Sequence, residues 1–345
     1  MQIGKSFCCF PYNGRIEIDV DGKRFMATIN ALMKHLRDNG VQISGSAQKR
    51  KLRRIGYYHG YKGYRYAGTA ANRLPISDFN QIVALYDFDE NLKALFYGPV
   101  MSIETALKNR VLEVVLLHSK SPRFDDIYKY CLTAYRACGK KEYGKAWEKR
   151  LRLRAEMDSL VVRNHETRAV IRHFRDSDLD IPIWALFEVM TLGNFGAFYN
   201  CLGDEIKKEV CDELGLPQTS FNSPLALNKM IFALKDLRNA IAHNGVILDV
   251  RFKTASIHNS VKNLIGIETG VSDITFNEVT DYALLLLYMM SRLGFTKTEC
   301  KQFLQRYRDV IEKYRALLPY NIYSQFVKSD VRRKLNAADG FIKKM

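Results

Sequence analysis

The chain has 345 residues, 47% of them hydrophobic and 26% charged. These are globular proportions, which exclude a disordered or collagen-like chain and fit one large domain or two ordinary ones. Lys and Arg number 53 against 37 Asp and Glu, and the resulting +16 points to a polyanionic partner, nucleic acid before an anionic membrane surface. The longest uninterrupted apolar run, Tyr282 to Met290, falls far short of the ~20 residues a bilayer span needs. Near the start, Pro11 ends an apolar patch too short for a secretory leader. The expectation is a cytoplasmic protein with no membrane partner. Seven cysteines without a C-x-x-C pair fit reduced, mostly buried thiols rather than a zinc ribbon or a redox motif.

In chain order, residues 14–26 alternate Ile16, Ile18 and Val20 ahead of an Asp21–Gly22 turn signal, which predicts a β-hairpin. A helix follows from Asn30 to Asp38, stopped by Asn39–Gly40. Next, the cations Lys49, Arg50, Lys51, Arg53, Arg54, Lys62 and Arg65 interleave with Tyr57, Tyr58, Tyr61, Tyr64 and Tyr66. Cations that neutralise phosphates beside stacking rings suit RNA contact. The blander reading is a solvated helix before a packing loop, and the tyrosines are read mainly as packing.

Asp78 can cap a long helix. Its apolar stripe runs through Val83, Leu85, Phe88, Leu92, Leu95, Phe96, Val100, Ile103, Leu107, Val111 and Val114. Gly98–Pro99 should kink or split it. Residues 134–163 read as one or two solvated helices, with Lys140, Lys141, Lys145, Lys149, Arg150, Arg152 and Arg154 diluted by Glu142, Glu148 and Glu156. In the apolar stretch 181–202, Trp184, Phe187, Phe195, Phe198 and Tyr199 read as core, and Gly193 and Gly196 allow close packing. A helix from Leu227 to Ala242 comes next. Residues 246–275 are mixed, with room for a second strand pair. Asn277 to Arg292 and Lys297 to Leu317 close a helical bundle, and a basic tail starts at Lys328.

The sharpest local feature is KDLRNAIAHNG at 235–245. Arg238 shares a helical face with Ile231, Leu234 and Ile241, so it should sit at the edge of a buried stripe, where a guanidinium needs a partner. His243 falls at the helix end before Gly245, the expected cap, and the negative end of the helix dipole favours positive charge there. Arg beside His suits phosphate chemistry: Arg stabilises charge on phosphate oxygens, and His moves protons. An isolated R-x4-H is nevertheless common by chance. Glu104, spaced three and four residues from Val100 and Leu107, lies on or beside the apolar face of its helix, where it needs a partner. Two arrangements stay open: an internal pair with Arg110, or Glu104 against Arg238 or His243.

The runs DFNQIVALYDFDENLKALFYGPVMSIETALKNRV (78–111), IPIWALFEVMTLGNFGAFY (181–199) and LRNAIAHNG (237–245), in that order, resemble the Abi-like proteins of bacterial abortive infection, in the HEPN superfamily. YYHGYKGYRY at 57–66 looks like that family's aromatic segment. The resemblance covers roughly residues 30–320. It implies an all-α fold, a HEPN-type helical bundle with additional helices, to which the residues themselves add a small N-terminal β-hairpin appendage outside the resemblance. Together with the residue pattern, the expected division is an N-terminal basic and aromatic region 1–75 with a short hairpin and helix, an Abi-like HEPN helical domain 76–320 and a basic C-terminal tail 321–345. The implied activity is a toxin-like endoribonuclease of phage defence, independent of metal. Arg238 and His243 would be the catalytic pair and Asn239 the polar residue after the Arg; the functional reading of Glu104 from its helix face adds it as an orienting residue. One motif per chain implies a homodimer. Where relatives carry a second His or a Ser after the motif His, this chain has Asn244 and Gly245. RNA is the implied partner, as substrate and as a structured non-coding RNA.

No phosphate-binding G-x-x-x-x-G-K-[ST] loop, G-x-S-x-G elbow or metal-ligand histidine spacing is present, so no cofactor and no metal are expected. The alternative to cleavage is an RNA-binding protein held in a stable complex with structured RNA. A third reading is an interaction protein whose Arg–His pair only ties helices together.

Overall fold

A computed structural model describes residues 16–20, 23–217 and 222–345. The chain is mainly helical, as its periodicity predicts. Ile16–Val20 and Lys23–Ala27 are extended in antiparallel register, Ile16 opposite Ala27, and the Asp21–Gly22 turn lies outside the described residues. The helices that follow are α1 (Ile29–Asp38), α2 (Gly45–Ile55), the long α3 (Phe79–Ser119), α4 (Phe124–Tyr130), α5 (Lys140–Asn164), α6 (Ala169–Asp176), α7 (Ile183–Val189) and α8 (Leu192–Cys201). Then come α9 (Asp204–Glu213), α10 (Ser223–Ala242), α11 (Asn259–Thr269), α12 (Val279–Arg292), α13 (Lys297–Leu317), α14 (Tyr320–Tyr323) and α15 (Val331–Lys344). No helix of the described residues is long and apolar enough to cross a membrane.

The chain divides into two compact units, Met1–Asn91 with Val310–Phe326, and Leu92–Asp309 with Val327–Met345. In the first, Thr28 caps α1 by accepting the Ala31 N–H at 3.2 Å. Leu32, Met33 and Leu36 then point into a core with Leu52 and Ile55 of α2 and Phe79 and Ile82 of α3. Gly56 ends α2 at φ 72°, and the chain winds into a π-helical turn, Tyr57–Lys62. A Cβ at Gly60 would come within 2.7 Å of the Ile55 side chain, so only glycine fits there. Tyr57, Tyr61 and Tyr64 are buried, which makes these tyrosines packing residues. Phe88 stacks on Tyr314 at 4.7 Å between ring centroids.

α3 begins where Asp78 accepts the Asn80 N–H at 2.6 Å. It does not split at Gly98–Pro99. The buried stripe Leu92, Phe96, Val100, Ile103 and Leu107 continues in register across the proline. Each such side chain contributes roughly 1.5–3 kcal/mol, against a proline cost of about 3.

In the second unit α10 packs on α8, α9 and α11. Gly196 lets α8 approach closely, since a Cβ there would lie 2.9 Å from the Phe232 ring, and its carbonyl accepts from Asn228 at 3.2 Å. α12 is buried along its length through Met290. Three expectations change here. Residues 246–275 hold turns and α11, with no strand among the described residues. The β-branched run near Val246 reads as a strand, but Val250 takes a positive φ of 52° and turns the chain, burying Ile247 and Leu248 locally. Trp184 is exposed rather than core, because α7 begins at the surface with its ring edge-on to Phe174. The face of α5 expected to be solvated buries Arg150 with Leu153, Met157 and Leu160.

The basic tail is also structured, since α15 packs on α11 and α12. Lys334, 1% exposed, donates to Glu278 and, at 2.7 Å, to Asp281.

Candidate functional site

α10 carries the R-x4-H segment, and its length follows from its caps. Asn222 accepts the Leu225 N–H at 3.1 Å, with proline in the first turn. Leu227, Ile231, Leu234 and Leu237 then bury one face. At the other end His243 is the cap, its N–H bonded to the Asn239 carbonyl at 3.0 Å. The left-handed residue is Asn244, at φ 52°, rather than the expected Gly245. Asparagine tolerates that conformation better than most residues, and the Gly245 N–H closes the turn on the Ala240 carbonyl at 2.7 Å.

Two groups fix this end. Asp236, nearly buried inside α10, accepts the Thr254 N–H at 3.1 Å and its hydroxyl at 2.8 Å, tying down the segment after the helix. Lys93 of α3 donates to the Asn244 side chain at 2.7 Å. Sequence reasoning missed Lys93, although it follows Leu92 of the α3 stripe directly.

Glu104 lies on α3 and is 8% exposed. Its Oε1 accepts from Lys108 at 2.9 Å, and Lys108 also donates to the Met190 carbonyl at 2.6 Å. Its Oε2 is buried without a hydrogen bond and sits 3.8 Å from Arg238 Nε. Arg110, the other candidate partner, is exposed and pairs with Glu113 at 3.4 Å. Glu104 therefore faces Arg238 with one oxygen committed to Lys108 and one open.

The Arg238 side chain is 38% exposed, and Asn239, His243 and Asn244 are exposed. Five residues at 100° each set Arg238 and His243 about 140° apart around the axis and roughly 7–8 Å apart along it. They flank the exposed end of α10. Such a pair can hold an anion on the guanidinium while the imidazole exchanges protons with solvent or a bound hydroxyl.

The second candidate group lies on and just after α2. Arg50, Arg53 and Arg54 share one exposed face at three- and four-residue spacing, and Lys49 is half-buried beside them. Lys51 is taken up by Asp87 at 2.9 Å. Lys62 sits 4.7 Å from the Tyr58 ring, and burial holds its ammonium below the usual lysine range, with Arg65 adding to the effect. Arg65 lies 4.7 Å from the Tyr66 ring. Of the seven cations, the three arginines of α2 are the most open to an outside anion.

The model of the Abi-like protein family matches residues 50–249, over half of the chain, including Arg238, His243 and every cation of the second group except Lys49. Neither the curated proteins nor the solved structures hold a match to this chain.

Proposed function

The chain belongs to the Abi-like protein family, whose membership points to abortive-infection-type defence, and from that premise we propose that it is an RNA-binding, HEPN-type endoribonuclease. On this reading the helical core is a HEPN-type bundle carrying a small N-terminal β-hairpin, and cleavage needs no metal. The observation that carries it is the half-satisfied Glu104 carboxylate facing Arg238 at the exposed end of α10.

His243 takes the proton from a ribose 2′-hydroxyl as its oxygen attacks the adjacent phosphorus. Arg238 stabilises the charge that develops on the phosphate oxygens. The P–O5′ bond breaks, the leaving oxygen acquires a proton, and the products are a 2′,3′-cyclic phosphate and a 5′-hydroxyl. Glu104 orients the guanidinium, and Asn239 offers a polar contact to the RNA. One motif per chain is completed by a second copy in a homodimer. The exposed arginines of α2 contact the RNA backbone.

The exposed face of α2 also favours the binding-only reading, a stable complex with a structured RNA and little cleavage. The two readings separate when wild type, Arg238→Ala and His243→Ala are incubated with labelled RNA in chelator. Loss of cleavage in both folded variants supports the nuclease. Cleavage that survives both removes Arg238 and His243 from the chemistry, and binding without cleavage in all three proteins supports the complex.

A further inference from the structure

α5 carries a charge that the protein's own carboxylates leave unmatched. Arg150 is 6% exposed. Its Nη2 donates to the Tyr128 carbonyl and its Nε has no partner. The rings of Tyr128, Tyr135 and Trp147 lie 3.6, 5.0 and 5.0 Å from it. Among the described residues it forms no ion pair. A buried guanidinium without an anion is costly, and its planar fork matches the oxygens of a phosphate.

Arg150 borders a cavity of about 270 Å³, shared with Lys149, Lys207, Asp204, Asn200 and Tyr135. Lys207 is largely buried, and burial holds its ammonium below the usual lysine range against the opposing pull of Asp204, which lies 3.8 Å away. Cys201 lines the same cavity; burial pushes its thiol up, while Lys207, Lys149 and Arg150 oppose that rise. Three cations against the single carboxylate Asp204 leave an excess of two positive charges, 3 − 1 = 2, the complement of a phosphate dianion.

We propose that this cavity is a binding site for a phosphate monoester, the terminal phosphate of a nucleoside monophosphate or of an RNA end. The Arg150 guanidinium and the Lys207 ammonium hold the phosphate oxygens, with Lys149 at the rim. Asn200 supplies a neutral donor, and the Tyr135 ring flanks the group that carries the phosphate. The volume holds a phosphate with a sugar or a base, so of an RNA only the terminal nucleotide enters. The site is separate from Arg238 and His243 and stands whether or not they cleave RNA.

Cys138 lines the same cavity and is half-buried, which supplies a readout. The full chain is treated with iodoacetamide, and Cys138 labelling is followed by peptide mass spectrometry. Labelling is compared with inorganic phosphate, with 5′-AMP, and with a trinucleotide bearing a 5′-phosphate or a 5′-hydroxyl. A phosphate monoester is expected to slow labelling about fivefold at saturation, and Arg150→Gln or Lys207→Gln to raise the concentration needed about tenfold. Lys207→Gln keeps the test valid if Arg150→Gln fails to fold. Protection by 5′-AMP alone assigns the site to free nucleotide, and protection by the 5′-phosphorylated trinucleotide assigns it to an RNA end; both support the site. Three results overturn it: no protection by either ester, equal protection by the 5′-hydroxyl trinucleotide, or protection undiminished in both variants. Arg238→Ala is expected to leave this protection unchanged, so failure here is distinguishable from failure of the nuclease reading.

Discussion

Two charged clusters of the second unit show opposite ways of holding a cation. Around Lys334 the cation is fully answered: the ammonium is 1% exposed and meets Glu278, Asp281 and, at 3.8 Å, Asp330, with only Glu278 Oε2 buried and unbonded. Around Arg238 the charges are only half answered. The guanidinium is partly exposed, and the facing Glu104 oxygen stands 3.8 Å away without a hydrogen bond. A buried cation met by its own carboxylates contributes to folding and is closed to a ligand, whereas a partly exposed one can still bind an outside anion. Arg150 is a third case, buried like Lys334 and unmatched like Arg238.

Substitution should separate the two clusters. The largest effect is expected on cleavage, where Arg238→Ala and His243→Ala each lower the rate about 10²–10⁴-fold. Stability measured by denaturant unfolding should change by less than about 1 kcal/mol for each. Lys334→Ala should do the reverse. It strands two buried carboxylates and costs about 3–5 kcal/mol in the same unfolding measurement, with cleavage per folded molecule unchanged. Equal losses of stability at both places would erase the distinction.

pH sharpens the same contrast. Burial alone would lower the Lys334 ammonium, but its hydrogen bonds to Asp281 and Glu278 outweigh that and raise it above the ordinary 10.5. A raised lysine contributes stability that is fully present below its unfolded value and lost as pH climbs through the folded one. Unfolding midpoints should therefore fall above about pH 10.5, and Lys334→Met should remove that share of the fall.

Smaller effects are expected at the edges. Glu104→Gln keeps the shape and removes the charge, and should slow cleavage about tenfold with little change in RNA affinity. Replacing Arg50, Arg53 and Arg54 together by glutamine should weaken RNA binding and reduce its logarithmic salt dependence by about 2, at ~0.7 per phosphate contact on a single strand. An unchanged slope would place the RNA elsewhere.

What the sequence revealed was local. The α10 stripe, its polar end and the placement of Glu104 on the α3 face follow from three- and four-residue spacing, which one helix carries within itself. α11 was missed, although Val261, Leu264 and Ile265 are spaced for a helix and His258 caps it by accepting the Ser260 N–H at 3.1 Å. The β-branched run before it drew the reading toward strands. The Lys334 cluster was not legible, because its buried partners Glu278 and Asp281 stand more than fifty residues earlier and nothing in a basic tail marks one lysine as internal. Arg150 was hidden for a related reason. Among seven other cations on a charged helix, only the facing tyrosines and tryptophan single it out, and Tyr128 lies on α4.

The central claim is that Arg238 and His243 direct attack by a 2′-hydroxyl without a metal. The most direct test is the chemistry of the cut ends produced by wild type in chelator, with His243→Ala alongside. The account predicts a 2′,3′-cyclic phosphate and a 5′-hydroxyl from wild type and neither from the variant. A 3′-hydroxyl with a 5′-phosphate, or cyclic ends produced equally by His243→Ala, would contradict it.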